Sequence, residues 1–159
     1  MKFISCLFFL YLMAFFNSIL VDVTSIYGVN IDLAMILVTV AALYFGESLS
    51  IWFAILLGIV SSTQRLEIMP WEMMIFVGIA IGVNQISARL NFESIASKLI
   101  LLTAALIAHN ILLTSILSFE NLTYSLVRYI LPGVVYSLIP GWIFFMFGNF
   151  FAGFHHARS

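Results

Sequence analysis

Six apolar blocks divide the chain, and only short polar intervals separate one block from the next. The pattern predicts helices at about 3–21, 31–45, 49–62, 70–88, 95–117 and 128–153. A helix needs roughly 20 mainly apolar residues to cross a bilayer, and four of the six blocks come close to that length. The first stops at Asp22, and Asp22–Asn30, with Gly28, reads as a loop. Asp32 stands at the mouth of the second block. Gly46-Glu47-Ser48 combines a helix breaker with two polar residues and predicts a tight turn. Pro70 opens the fourth block, where a missing N–H does no harm in the first helical turn. Arg89–Ser94 and Ser118–Val127 are the remaining polar loops.

The third block is the weak link. Its uninterrupted apolar part, Leu49–Val60, rises only about 18 Å at 1.5 Å per residue, against a core of about 30 Å. It must borrow Ser48, Ser61 and Ser62, thin the bilayer, or dip in without crossing. Six crossings is the expectation and five the alternative, and the parity decides where the C-terminus lies.

Composition points the same way. The chain is 64% apolar and 8% charged, with mean hydropathy +1.17, whereas soluble domains are about 25% charged. The predicted fold class is an all-α integral membrane bundle of about six helices, a single domain over 1–159. Net charge is −1 with no basic run, so nucleic acid is not an expected partner. A single cysteine, Cys6, excludes an intrachain disulfide and a cysteine-based metal site, and reads as a small buried hydrophobe. Lys2 and the apolar Phe3–Phe16 resemble an export signal, but Asn17-Ser18-Ile19-Leu20-Val21 offers no small-x-small cleavage site. An uncleaved first span is expected.

With the N-terminus inside, the inner segments hold Lys2, Arg89, Lys98 and Arg158, and the outer ones Arg65 and Arg128. That bias favours both termini in the cytoplasm. Tyr27, Tyr44, Trp71, Tyr124 and Tyr129 fall near span ends, where interfacial aromatics gather.

Candidate chemistry is sparse. Gly78 and Gly82 form a GxxxG stretch, and Ala104 and Ala108 repeat the small-xxx-small spacing on the next span. Such faces allow close helix contact, either within the bundle or with a partner, and internal packing is the expected use. His109-Asn110 at mid-span is the sharpest polar feature, because an ionisable side chain there is costly. A neutral imidazole bonded across helices to Asn84 or Gln85 is the ordinary reading, and ligand binding or proton relay the functional one. Ser48 lacks the glycine that a nucleophile elbow needs two residues on, since Ser50 stands there. Glu72 and Lys98 lie at helix starts, where snorkelling or interfacial placement explains them. Pro132-Gly133 and Pro140-Gly141 predict two breaks in the sixth span, read as kinks that shape the bundle. No metal site, cofactor loop or catalytic cluster is present in the pattern, so the chain is not expected to be an enzyme.

Asn30-Ile31-Asp32-Leu33-Ala34-Met35-Ile36-Leu37 resembles the polar-acidic-then-aliphatic entry of the rod-shape-determining MreD family. The likeness continues through Ala42-Leu43-Tyr44-Phe45-Gly46, Gly58 and Ile86-Ser87-Ala88-Arg89. It ends in Pro132-Gly133-Val134-Val135-Tyr136 and Ile139-Pro140-Gly141-Trp142, covering about Asn30 to Phe147. Family members commonly place an aspartate four residues after the span-three glycine, where this chain has Ser62. Thr63–Pro70 replaces the glycine-containing turn that follows it.

The resemblance implies a non-catalytic scaffold of the bacterial elongation complex in the inner membrane, organising side-wall peptidoglycan synthesis and cell shape. Its implied partners are the bitopic MreC, through it the MreB filament, and the RodA polymerase with its transpeptidase. It also implies a fold likened to the S components of energy-coupling-factor transporters. The alternative function is such a substrate-binding subunit, taking a small ligand near Trp71, Glu67 or Asp22–Asn30. S components dock through Ala-x-x-x-Ala on the first span, which here carries only Ala14.

Overall fold

The computed structural model describes residues 11, 13–15, 30–63, 65–90, 94–118 and 122–156. The calls on Cys6, Gly28, Tyr27, the end of the first span and Arg158 lie outside the described residues. All the regular structure described is helical. The order is α1 (Leu33–Tyr44), α2 (Glu47–Ser61), α3 (Met69–Arg89), α4 (Ile95–Ser118), α5 (Leu122–Ser125), a π-helical turn Leu126–Ile130, and α6 (Leu131–His156).

Three stretches are long and apolar enough to cross a membrane: Met69–Arg89, Ile95–Leu117 and Leu126–Phe147. The second and third expected spans are shorter helices, Leu33–Tyr44 and Glu47–Ser61. The shorter of these is α1, with 12 residues, not α2, which has 15. Local chemistry sets the difference. Asp32 caps α1 by accepting the Met35 N–H at 3.0 Å, so the helix cannot begin earlier. Phe45 then turns extended at the other end. Gly46 starts α2 at Glu47, ahead of the apolar run.

The shortest helix is the central one. Every residue of α1 from Leu33 to Ala42 is buried, as expected of a helix that is apolar on all sides. It touches α2, α3, α4 and α6. Phe53 and Leu57 of α2, Phe76 of α3, Leu102 and Leu106 of α4, and Phe145 of α6 close around it. Thr39 hides its hydroxyl in this core by donating to the Met35 carbonyl at 2.9 Å. Because protein rather than lipid surrounds α1, its length need not match the bilayer. Non-helical backbone at its N-terminus is tolerable where it lines a cavity.

The outer helices face the other way. Trp52, Met74, Ile100, Val135 and Phe147 are each at least 60% exposed. An apolar exterior of this extent marks a lipid or partner-facing surface, and the chain is a membrane protein by its three crossing-length helices.

Two sequence expectations about the last span change. Residues 122–127 are helical rather than looped. Helix α6 runs unbroken through Pro140, so the prolines do not divide the span. Pro132 has no N–H to offer the carbonyl four residues back. Just ahead of it the ladder shifts register, the Leu131 N–H reaching the Leu126 carbonyl across a π turn. Gly141 lets α6 close on Leu102 of α4, whose side chain occupies the place of a Cβ.

Candidate functional site: a polar cavity at one end of the bundle

Successive helices alternate in direction, so the N-terminus of α1, the C-terminus of α2, the N-terminus of α3, the C-terminal half of α4 and the π turn meet at one end. There they border an open cavity of about 470 Å³. Asp32, Arg65, Glu72, His109, Asn110 and Thr114 supply its polar wall. Phe76, Leu113, Leu117, Tyr129 and Ile130 supply much of the apolar one.

At its inner edge, His109 Nδ1 lies 2.8 Å from Asp32 Oδ2. A carboxylate only accepts, so Nδ1 carries the proton and donates. Asp32 is held from three directions. Its Oδ1 accepts from Met35 within α1, its Oδ2 from α4, and its own N–H donates to Ser137 Oγ of α6 at 2.9 Å. The imidazole lies against Phe76 of α3, with centroids 4.9 Å apart. Its Nε2 is sealed from water and has no hydrogen-bond partner among the described residues.

Nearer the helix ends, Glu72 Oε2 accepts from the hydroxyls of both Ser61 and Ser62. This fastens the end of α2 to the first turn of α3. Ser62 is 1% exposed and spends its hydroxyl on this contact.

Gly58 brings the same two helices together: a Cβ there would meet Met73 Cγ at 2.7 Å and Met73 Cα at 2.9 Å. That is the close approach small residues permit.

The residues singled out by sequence are distributed differently than expected. His109 does not pair with Asn84 or Gln85. Asn84 donates to Ser50 Oγ and to the Ala80 carbonyl, each at 2.8 Å, and Gln85 is exposed. In the antiparallel pair α3–α4, Asn84 lies near the connecting loop, whereas His109 lies about 13 Å farther along at 1.5 Å per residue. Depth forbids the contact. Asn110 donates to the Leu106 carbonyl at 2.9 Å and lines the cavity.

Among the described residues nothing packs closely on Gly78 or Gly82, and Ala108 is half-buried. A Cβ at Gly78 or Gly82 would meet nothing within 4 Å, and Ala104 is exposed while its neighbour Ala105 faces the core. Lys98 does not snorkel: it is 7% exposed, donates to Tyr44 Oη at 3.0 Å and lies over that ring. This contact closes the opposite end of the bundle.

Of the residues suggested for a ligand, Asn30 lines the cavity, and Trp71 and Glu67 do not. Arg65, Glu72 and Asp32 were not linked by sequence. The only available signal was that all three flank predicted span ends on one side. Among the described residues, no group of three His, Cys, Asp or Glu side chains is arranged to hold a metal ion. No protein-family model, curated protein or solved structure matches the chain.

Proposed function

We propose that this chain is a non-catalytic integral membrane scaffold of the bacterial elongation complex. In this reading it crosses the inner membrane six times with both termini cytoplasmic. The observation that carries the scaffold reading is the Gly78–Gly82 face, on which a Cβ would meet nothing within 4 Å among the described residues. Small-residue faces gain their energy from close van der Waals contact, so an unfilled one suits a partner helix. The resemblance to the MreD family supplies the partners: an MreC-like bitopic protein, MreB indirectly, and the RodA-type polymerase with its transpeptidase. Cell shape and side-wall peptidoglycan synthesis follow from that assembly.

The test is to tag the C-terminus, extract in a mild detergent and identify what co-purifies. Recovery of the MreC-like protein and the polymerase pair, lost with Gly78→Leu or Gly82→Leu, supports the scaffold. Recovery of ATPases with a transmembrane coupling subunit overturns it.

The cavity favours a second reading. At about 470 Å³ it falls within the range of roughly 300–1,000 Å³ that holds small ligands. A substrate-binding subunit of the energy-coupling-factor kind would use it.

A further inference from the structure

The charges on the cavity wall are unevenly satisfied. Asp32 and His109 are committed to each other by a hydrogen bond at the inner edge. Glu72 and Arg65 are not. Glu72 commits only Oε2, to the two serines, and Oε1 has no hydrogen-bond partner among the described residues. Arg65 lies on the turn after α2, where its N–H donates to the Ser62 carbonyl. Its guanidinium has no acceptor among the described residues. Both line the same cavity, yet no ion pair joins them. Arg65 is exposed and Glu72 half-buried, so each charge keeps access to solvent and neither depends on the other for compensation. Two that stay more than a salt-bridge length apart are suited to a ligand carrying both signs.

The chemistry of each end is specific. A guanidinium is a planar fork of donors matched to phosphate oxygens. A carboxylate oxygen with a free lone pair selects a group that carries N–H donors. Tyr129, Leu113 and Leu117 provide an apolar wall beside them.

We infer that the cavity binds a phosphoethanolamine-type zwitterion, with its phosphate on Arg65 and its primary ammonium on Glu72 Oε1. The group can arrive as a phospholipid headgroup or as a free small molecule. This goes beyond the scaffold reading and needs none of its partners.

The test uses the full chain, purified in a non-ionic detergent and titrated calorimetrically. The probes are phosphoethanolamine, phosphocholine, ethanolamine, glycerol phosphate and, separately, dihexanoyl phosphatidylethanolamine. Phosphoethanolamine or its short-chain lipid should bind saturably, at least tenfold tighter than phosphocholine, which keeps both charges but has no N–H. Binding of the lipid alone assigns the headgroup as the source, and binding of both forms assigns a site open to soluble ligand.

Arg65→Gln should weaken binding at least tenfold and remove the advantage over ethanolamine. Glu72→Gln should weaken it at least tenfold and remove the advantage over glycerol phosphate. Arg65→Gln breaks no side-chain hydrogen bond or ion pair among the described residues, so it decides the matter if Glu72→Gln fails to fold. Absence of saturable binding by either form, equal binding of phosphocholine, or an unchanged affinity in Arg65→Gln overturns the inference. Because no partner protein enters the assay, its failure would leave the scaffold reading to be judged by co-purification alone.

Discussion

His109 on α4 and Asp32 ahead of α1 lie 77 positions apart in sequence and 2.8 Å apart in space. Through them the central helix is tied to α4, while the Asp32 amide ties it to α6 at Ser137. Polar groups at this depth hold the helices in one arrangement because neither lipid nor apolar side chains can replace their hydrogen bonds.

Breaking that pair from one side should be costly. His109→Leu takes the partner from the part-buried Asp32 carboxylate. Losing one member of a fully buried pair costs about 3–5 kcal/mol, and the cavity beside Asp32 and its remaining bond to Met35 keep the loss below that. We expect membrane insertion to persist and the melting temperature in detergent to fall sharply. The double variant Asp32→Asn/His109→Leu should recover part of the loss. Equal melting of wild type and His109→Leu would show that the pair does not hold the bundle.

Gly58 and Gly78 should respond in opposite ways to the same substitution. At Gly58 an added methyl runs into the backbone and side chain of Met73, and overpacking of this kind costs about 1–3 kcal/mol. At Gly78 it meets nothing within 4 Å, and alanine is the better helix former by about 1 kcal/mol. Gly58→Ala should therefore lower thermal stability, and Gly78→Ala should keep or raise it.

The Asn84–Ser50 hydrogen bond should matter little by itself. Interhelical hydrogen bonds in membrane proteins average about 0.6 kcal/mol, and Asn84 keeps its second bond to the Ala80 carbonyl when Ser50 is removed. Ser50→Ala should shift the unfolding free energy by less than about 1 kcal/mol. A loss of several kcal/mol in a double-mutant cycle with Asn84→Ala would assign this contact a larger role.

Whether α2 crosses the membrane can be read from its two ends. Ser48, in the first turn of the helix, and Thr63, two residues past its end, are both exposed. In a chain with Cys6 replaced by serine, Ser48→Cys and Thr63→Cys are treated in intact cells with an impermeant maleimide. Six crossings with a cytoplasmic N-terminus require that only Thr63→Cys reacts. Reaction of both or neither means that α2 dips without crossing.

Much of the bundle was legible because helices in lipid announce themselves by length and hydropathy. The blocks at 70–88, 95–117 and 128–153 correspond to α3, α4 and the run from the π turn into α6. Their boundaries moved only where local hydrogen bonding intervened, as at Pro132 and in the segment 122–127. The burial of α1 was not legible, because an all-apolar block reads the same whether lipid or protein covers it. The roles of Ser61, Ser62 and Glu72 were equally hidden, since each reads singly as an ordinary residue at a helix end.

Sequence by itself determined that this chain belongs in a membrane and is built of helices, since 64% apolar residues and 8% charge leave little else to solvate it. It also singled out His109 as the costly residue whose polarity needs an answer. Only the tertiary structure decided what that answer is. Hydropathy depends on neighbours along the chain, whereas the partner of a buried polar group depends on depth and on which helices pack together. Asn84 was near in sequence but at the wrong depth. Asp32 was far in sequence, yet the packing of α1 within the bundle brought it to the imidazole.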